Sequence, residues 1–482
     1  MKKPLTLLAA LLLTACVSAP TTTPEASKLA PDRLGLSGPA APHFPDEWWK
    51  AFHDPQVDRL AALTLSGNPS LQGALIRIRA AQAELSVARA DDLPQVNLDG
   101  QDQRERFSKN YIIPPPYGGT WQWFGQLQAG LSWNIDFWGK QAAIIERARD
   151  NAKAAALDAA AARLALSGAL AQTYINLLLA YQDSDIADET VAERDGILKL
   201  TQGRYNAGLE NASAVEQAKA LLALARADQK RTLAQRDMDV HALAALTGQG
   251  AAAYGTITRP APNLDTALPL PTALPADLLA RRPDILAAEA RVEAAAKGRE
   301  AAHADFYPNI NLAAFAGFQA IGLTRLLSGG SFTYGVGPAI HLPIFDAGKI
   351  RANYAGATAD LDGAVEAYNG VVLDAVRQTA DAMTQVTSLE SQRTDQQAAL
   401  DSATRSFALA QTRYRTGLSD QIVMLNAEST LLTAREQMAT LIANSTIQRV
   451  TLLLSVGGGF APPQDSETKS AAIPSKTDIA KD

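Results

Sequence analysis

The second half of this 482-residue chain repeats the first, with the same residues in the same order. From the Asn68-Pro69 pair onward, Arg77, Ala80, Ala81, Ala90, Asp91, Pro94, Asn97 and Leu98 recur 214 positions later as Arg291, Ala294, Ala295, Ala304, Asp305, Pro308, Asn311 and Leu312. Pro283 stands where Pro69 stands. Further along the offset is 209. Gly139-Lys140 recurs as Gly348-Lys349, Arg204-Tyr205 with Gly208-Leu209 as Arg413-Tyr414 with Gly417-Leu418, and Gly248 as Gly457. A five-residue length difference therefore falls between Leu98 and Gly139. Two copies of one long unit, rather than many short ones, predict a pseudo-symmetric structure and argue against a solenoid.

The N-terminus carries an address. Lys2 and Lys3 precede the apolar run Leu5 to Leu13, too short to span a bilayer as a helix but suited to the core of a secretory signal over residues 1–15. The run ends in Leu13-Thr14-Ala15-Cys16, which reads like a bacterial lipobox. On that reading the Cys16 thiol is diacylated, and cleavage makes Cys16 the new N-terminus. The alternative is a plain signal peptide with an incidental cysteine. Cys16 is the only cysteine, which excludes disulfides and thiolate zinc sites. Val17 stands where an Asp would signal retention in the inner membrane, so the expected destination is the outer membrane. Two or three acyl chains on one N-terminus make a stable anchor.

A net charge of −6 and a pI near 5.5 exclude a generally basic, nucleic-acid-binding surface. Residues 16–50, rich in Pro, Thr, Ser and Ala, read as a lipidated, extended tether; 251–275 reads as an irregular linker and 460–482 as a loose polar tail. Between them the first copy covers 51–250 and the second 276–459.

Each copy predicts the same series of elements. In the first, Asp54-Pro55 starts a short helix that stops near Gly67, and Pro69 starts a second that runs to about Asp92. Strand patterning follows over about 95–106 and 121–136. In the latter, Trp121, Trp123, Gly125, Leu127, Ala129, Leu131, Trp133 and Ile135 alternate with mostly polar partners. The second copy repeats this over about 308–320 and 331–345. Long alternating strands with aromatic ends match transmembrane β-strands, while a soluble sandwich alternates for the same geometric reason. Four strands cannot close a membrane barrel, so strands that enter lipid require several chains to share one barrel.

After each second strand comes a helical stretch with no proline and few other breakers, expected over 139–205 and 347–416. Each spans about 100 Å at 1.5 Å per residue. Return helices are expected over 209–248 and 420–456. Between outgoing and return helices lie Arg204-Tyr205-Asn206-Ala207-Gly208-Leu209 and Arg413-Tyr414-Arg415-Thr416-Gly417-Leu418, each glycine placed to end a helix in the left-handed conformation. Helices of this reach, packed side by side, form a tube or a long coiled coil.

These features together resemble the outer membrane factor family of TolC-like channels. The residues that carry the resemblance are the lipobox, Glu47-Trp48-Trp49 with Phe52, Asp54 and Pro55, and the strand-to-helix turns Asp136-Phe137-Trp138-Gly139-Lys140 and Phe345-Asp346-Ala347-Gly348-Lys349. The two Arg-Tyr-x-x-Gly-Leu tips complete the set. The lipobox suggests the lipoprotein branch that serves resistance-nodulation-division pumps. The resemblance implies a mainly α fold with a β-barrel part: a homotrimer whose twelve strands close one transmembrane barrel, continued by a periplasmic helical tunnel. It implies a passive exit duct for drugs or other small toxic compounds. An inner-membrane transporter of that pump class would deliver them through a periplasmic adaptor, with outer membrane lipid as the remaining partner and no cofactor or nucleic acid. Adaptor docking falls on Arg204, Gly208, Leu209, Arg413, Gly417 and Leu418. Tyr414 matches the family's tyrosine at the periplasmic constriction, whereas Ser419, Val423, Asn426 and Ala214 replace its charged positions. Asp420, Glu210 and Glu216 are the candidate substitutes.

Two other functional classes each account for part of the sequence. The five histidines, His43, His53, His241, His303 and His341, are scattered, and neither a catalytic cluster nor a phosphate loop is evident, which argues against an anchored enzyme. A structural periplasmic coiled-coil lipoprotein accounts for the helices but leaves the four strands unexplained. Within the channel class, type I protein secretion is the second reading.

Overall fold

A computed structural model describes residues 22–461, apart from 37, 43, 111, 263–270 and 272. The expected signal peptide, Cys16 and nearly all of the C-terminal tail lie outside the described residues. Helix α1 (Pro55–Gly67) is capped by Asp54, whose carboxylate accepts from the Gln56 N–H, with Pro55 in the first turn. Helix α2 (Pro69–Ala90) starts the same way, Asn68 accepting from the Ser70 N–H at 2.9 Å. Then come β1 (Gln95–Arg106), β2 (Trp121–Ile135), α3 (Lys140–Asn206) and α4 (Ala212–Leu246). A short helix α5 (Leu278–Arg281) opens the second copy, followed by α6 (Pro283–Ala304), β3 (Asn309–Ile321), β4 (Phe332–His341), α7 (Lys349–Arg415) and α8 (Gln421–Ser455). The duplication extends to length: α2 and α6 have 22 residues each, α3 and α7 67 each, α4 and α8 35 each.

The chain divides into two compact units. Among the described residues, the first comprises 22–28, Arg77–Ala155 and Ala287–Asn369. Its centre is one antiparallel sheet in the order β1-β2-β3-β4, so β1 and β4 are edges. At the helix end of the sheet, Trp138 stacks on Tyr307 with centroids 4.8 Å apart and its indole N–H donates to the Pro308 carbonyl. Lys140 pairs with Asp305 at 2.6 Å. Asp136 and Asp346 cap the starts of α3 and α7, accepting from the N–H groups of Ala142 and Ile350.

Strand β4 is shorter than the 331–345 expected. Its pairing ends where His341 meets Asn309, the first residue of β3, and Pro343 has no N–H to extend a ladder. Part of the extended tether is held by specific contacts. Asp362 accepts from the N–H groups of Glu25 and Ala26, Lys28 pairs with Glu289 at 2.8 Å, and Asn369 donates to the Ser27 carbonyl. Composition reads such a segment as extended, but it is silent on which carboxylates will capture its backbone.

The second unit comprises the described residues of Leu29–Ile76, Ala156–Leu286 and 370–461. Here the rest of the tether contributes to the core: its Phe44, Trp48 and Trp49, with Phe52 just after them, are buried with Leu170, Tyr174, Leu177, Leu243 and Leu453. The linker is ordered in part, with a 3-10 turn over Ala251–Thr256, and Gly38 pairs with the backbone around Pro275. A second cluster near the helix tips gathers Ile197, Phe407, Tyr414, Met424, Leu425 and Leu431.

Candidate functional site

The sheet separates chemistry by face. Registers Leu98↔Ala129, Leu127↔Phe318 and Phe318↔Phe332 place Val96, Leu98, Leu127, Leu131, Ile310, Leu312, Phe318, Tyr334, Val336 and Ile340 on one side. That side is open: Val96, Leu98, Trp121, Phe332, Tyr334, Val336 and Ile340 are all more than half exposed. Exposed apolar surface of this extent in water signals a missing partner or lipid. The opposite face carries Asn97, Asp99, Gln101, Gln126, Gln128, Ser132, Asn311, Gln319 and Thr333, with Gln101, Gln126 and Gln319 in one row. Leu127 and Gln126, neighbours in sequence, thus belong to opposite environments.

The tips are built alike. Gly208 and Gly417 adopt φ values of 75° and 78°, the left-handed region that favours glycine. In each, the glycine N–H donates to the tyrosine carbonyl three residues back, and the following leucine N–H donates to the arginine carbonyl. This is a Schellman stop, which satisfies the last carbonyls of α3 and α7. Leu209 and Leu418 project into solvent, 66% and 71% exposed.

Side chains around the tips are not alike. Tyr414 is fully buried, whereas Tyr205 is 44% exposed. The Tyr414 hydroxyl lies 3.3 Å from the Thr201 hydroxyl and 3.4 Å from a Glu210 carboxylate oxygen. The Gln421 amide donates to Thr201 at 2.9 Å. Arg204 places its guanidinium 4.8 Å from the Tyr414 ring centroid, donates to the Tyr414 carbonyl and lies 3.9 Å from Glu210. Burial pushes the Tyr414 phenol above its ordinary value, so it acts here as a neutral group. Further up, Glu428 is fully buried with Arg194 at 3.4 Å. Burial raises the Glu428 carboxyl, and the Arg194 charge partly opposes this.

Of the sequence-predicted constriction residues, the structure brings Tyr414 and Glu210 together and adds Arg204. Asp420 sits at the start of α8 as an exposed residue making no side-chain cap, and Glu216 is exposed and paired with Lys219. Arg413 is exposed beside its tip. Sequence reading missed Thr201, Gln421, Arg194 and Glu428. The signal available for them was their departure from the repeat: their counterparts are Ala410, Ala212, Ala403 and Lys219.

Comparison with known proteins agrees with this geometry. A family model described as outer membrane efflux protein matches residues 60–249 and 274–458. A fusaric acid resistance protein, FusA, of Burkholderia cepacia is 38% identical over 325 residues, covering 65% of this chain and 60% of that protein. The outer membrane protein OprJ of Pseudomonas aeruginosa is 30% identical over 459 residues, covering 94% of this chain and 95% of that one. Among solved structures, the outer membrane protein VceC of Vibrio cholerae superposes with a TM-score of 0.81 at 31% identity, over 87% of this chain and all of that one.

Proposed function

We propose, because this chain belongs to the outer membrane efflux protein family, that three copies close one twelve-stranded barrel and act as the passive exit duct of a tripartite pump. The chain is an outer membrane efflux channel of a family that transports rather than catalyses. The observation that carries the trimer is the sheet itself. Four strands with two unpaired edges, one lipid-like face and one polar face cannot stand alone in hydrocarbon. Joining β4 of one copy to β1 of the next removes every edge and encloses the polar face as a lumen.

The remaining roles are those that membership of the family suggests. Arg204, Gly208, Leu209, Arg413, Gly417 and Leu418 form the docking tips for a periplasmic adaptor, with the two exposed leucines as apolar contacts. An inner-membrane transporter of the resistance-nodulation-division class supplies the driving force. Cys16 carries the lipid. Tyr414, Glu210 and Arg204 set the packing of the tips, while Asp420 and Glu216 supply exposed negative charge near them.

Expression in a strain lacking its own efflux duct tests this reading. Heat-modifiable trimers in the outer membrane fraction, with restored drug resistance, are the expected result. A monomer in the soluble periplasm would contradict it.

A further inference from the structure

The apolar face of the sheet carries charge at one place only: Asp102, Arg104 and Arg106, all at the loop end of β1. On the reading that this sheet crosses the membrane with its loops outward, we propose that Arg104 and Arg106 bind phosphate groups of an anionic glycolipid in the outer leaflet.

Depth places them at a membrane boundary. From Ile135, at the helix end of β2, to Trp123 is twelve residues, or about 30 Å across the membrane at about 3.3 Å per residue and a tilt near 40°. The apolar band of an outer-membrane barrel is about 25 Å tall, so Trp123, which pairs directly with Arg104, lies just beyond its edge, in the aromatic girdle. The next outward-facing pair is Trp121 with Arg106. Charged side chains facing lipid are tolerated at such an interface and strongly disfavoured at its centre.

The chemistry at this edge suits a phosphate. Both arginines are exposed, and neither is in an ion pair among the described residues; Arg106 donates only through Nε, to the Gly119 carbonyl. Their forked donors match phosphate oxygens in two-pronged geometry. Trp121 and Trp123 supply flat, amphipathic rings beside them, suited to the junction of sugar headgroup and acyl chain. The second loop closes over the same end of the sheet, where Leu326 packs 3.2 Å from the position of a Gly125 Cβ. Asp102 is one outward position further in and leaves the cluster net positive. Pairing of β1 with a neighbouring strand uses its backbone edge, so trimer closure leaves these side chains facing outward.

The test uses trimers purified in mild detergent and lipopolysaccharide as the probe, with the same lipopolysaccharide after enzymatic dephosphorylation as the second arm. Wild-type trimers are expected to hold the phosphorylated form and to bind the dephosphorylated form much more weakly. R104A/R106A should lose about thirty-fold in affinity, the product of two basic side chains near a charged lipid surface. R104K/R106K should recover only part of that loss, because an ammonium keeps the charge but not the two-pronged fork. Equal binding by wild type and the double alanine variant, or equal binding of the two lipid forms, would overturn the proposal while leaving the channel intact. Absence of wild-type trimers from the outer membrane would instead remove the barrel reading on which it rests.

Discussion

The two helix tips share a sequence, Arg-Tyr-x-x-Gly-Leu, and a backbone, yet Tyr205 is 44% exposed and Tyr414 wholly buried. Backbone geometry at each tip is dictated locally by the glycine and its stop motif. Side-chain fate is decided by what the rest of the chain delivers. Thr201, Glu210 and Gln421 surround Tyr414, and the duplicated positions Ala410, Ser419 and Ala212 offer Tyr205 no equivalent set. Duplication built two equal tips, and divergence at a few polar positions made one of them a packed junction.

The largest effect that would sharpen this contrast lies at the buried pair. Arg194→Ala leaves the buried Glu428 carboxyl, which burial already pushes toward its neutral form, without its partner, and should cost about 3–5 kcal/mol, the usual cost of breaking a buried pair. Lys219→Ala, at the counterpart of Glu428 and exposed, should cost less than about 0.5 kcal/mol. Thermal dissociation of the purified trimer measures both, and equal shifts would show that the second copy has no special core.

Next in size is the tyrosine pair itself. Tyr414→Ala empties a fully buried aromatic site and should cost about 3 kcal/mol, whereas Tyr205→Ala should change stability by less than about 0.5 kcal/mol. Denaturant midpoints at unchanged slope distinguish them. Matching losses would place the two tyrosines in similar surroundings and break the comparison.

The smallest effect should be symmetric. Gly208→Ala and Gly417→Ala each put a Cβ on a left-handed residue, at about 1–2 kcal/mol; the space is open at Gly208, and at Gly417 the Cβ meets only the Arg204 guanidinium, at an ordinary contact distance of 4.0 Å. A difference between them larger than about 1 kcal/mol would mean that the tips differ in backbone as well as side chain.

This ranking also shows which parts of the fold were legible in the sequence. Period-2 alternation from Trp121 to Ile135 matches an observed strand, and the paired registers place its odd-numbered residues on the open apolar face. Proline and glycine punctuation foretold helix starts at Pro55 and Pro69 and the stops at Gly208 and Gly417. Pro343 was equally visible, but pattern alone carried β4 past His341 because a ladder's end depends on its partner strand. The tether hid its order for a related reason. Captures such as the Asp362 carboxylate accepting from Glu25 and Ala26 link residues more than 300 positions apart. The Tyr414 surroundings are likewise long-range, joining residues 201–210 to 414–421, which no local pattern encodes.

Single-channel conductance in planar bilayers tests most directly whether this chain forms a duct whose tips are held by the second copy. Wild-type trimers should insert and show small conductance, Tyr205→Phe should match them, and Tyr414→Phe combined with Glu210→Gln should conduct several-fold more. Failure of every form to conduct, or equal conductance in all three, would contradict the account.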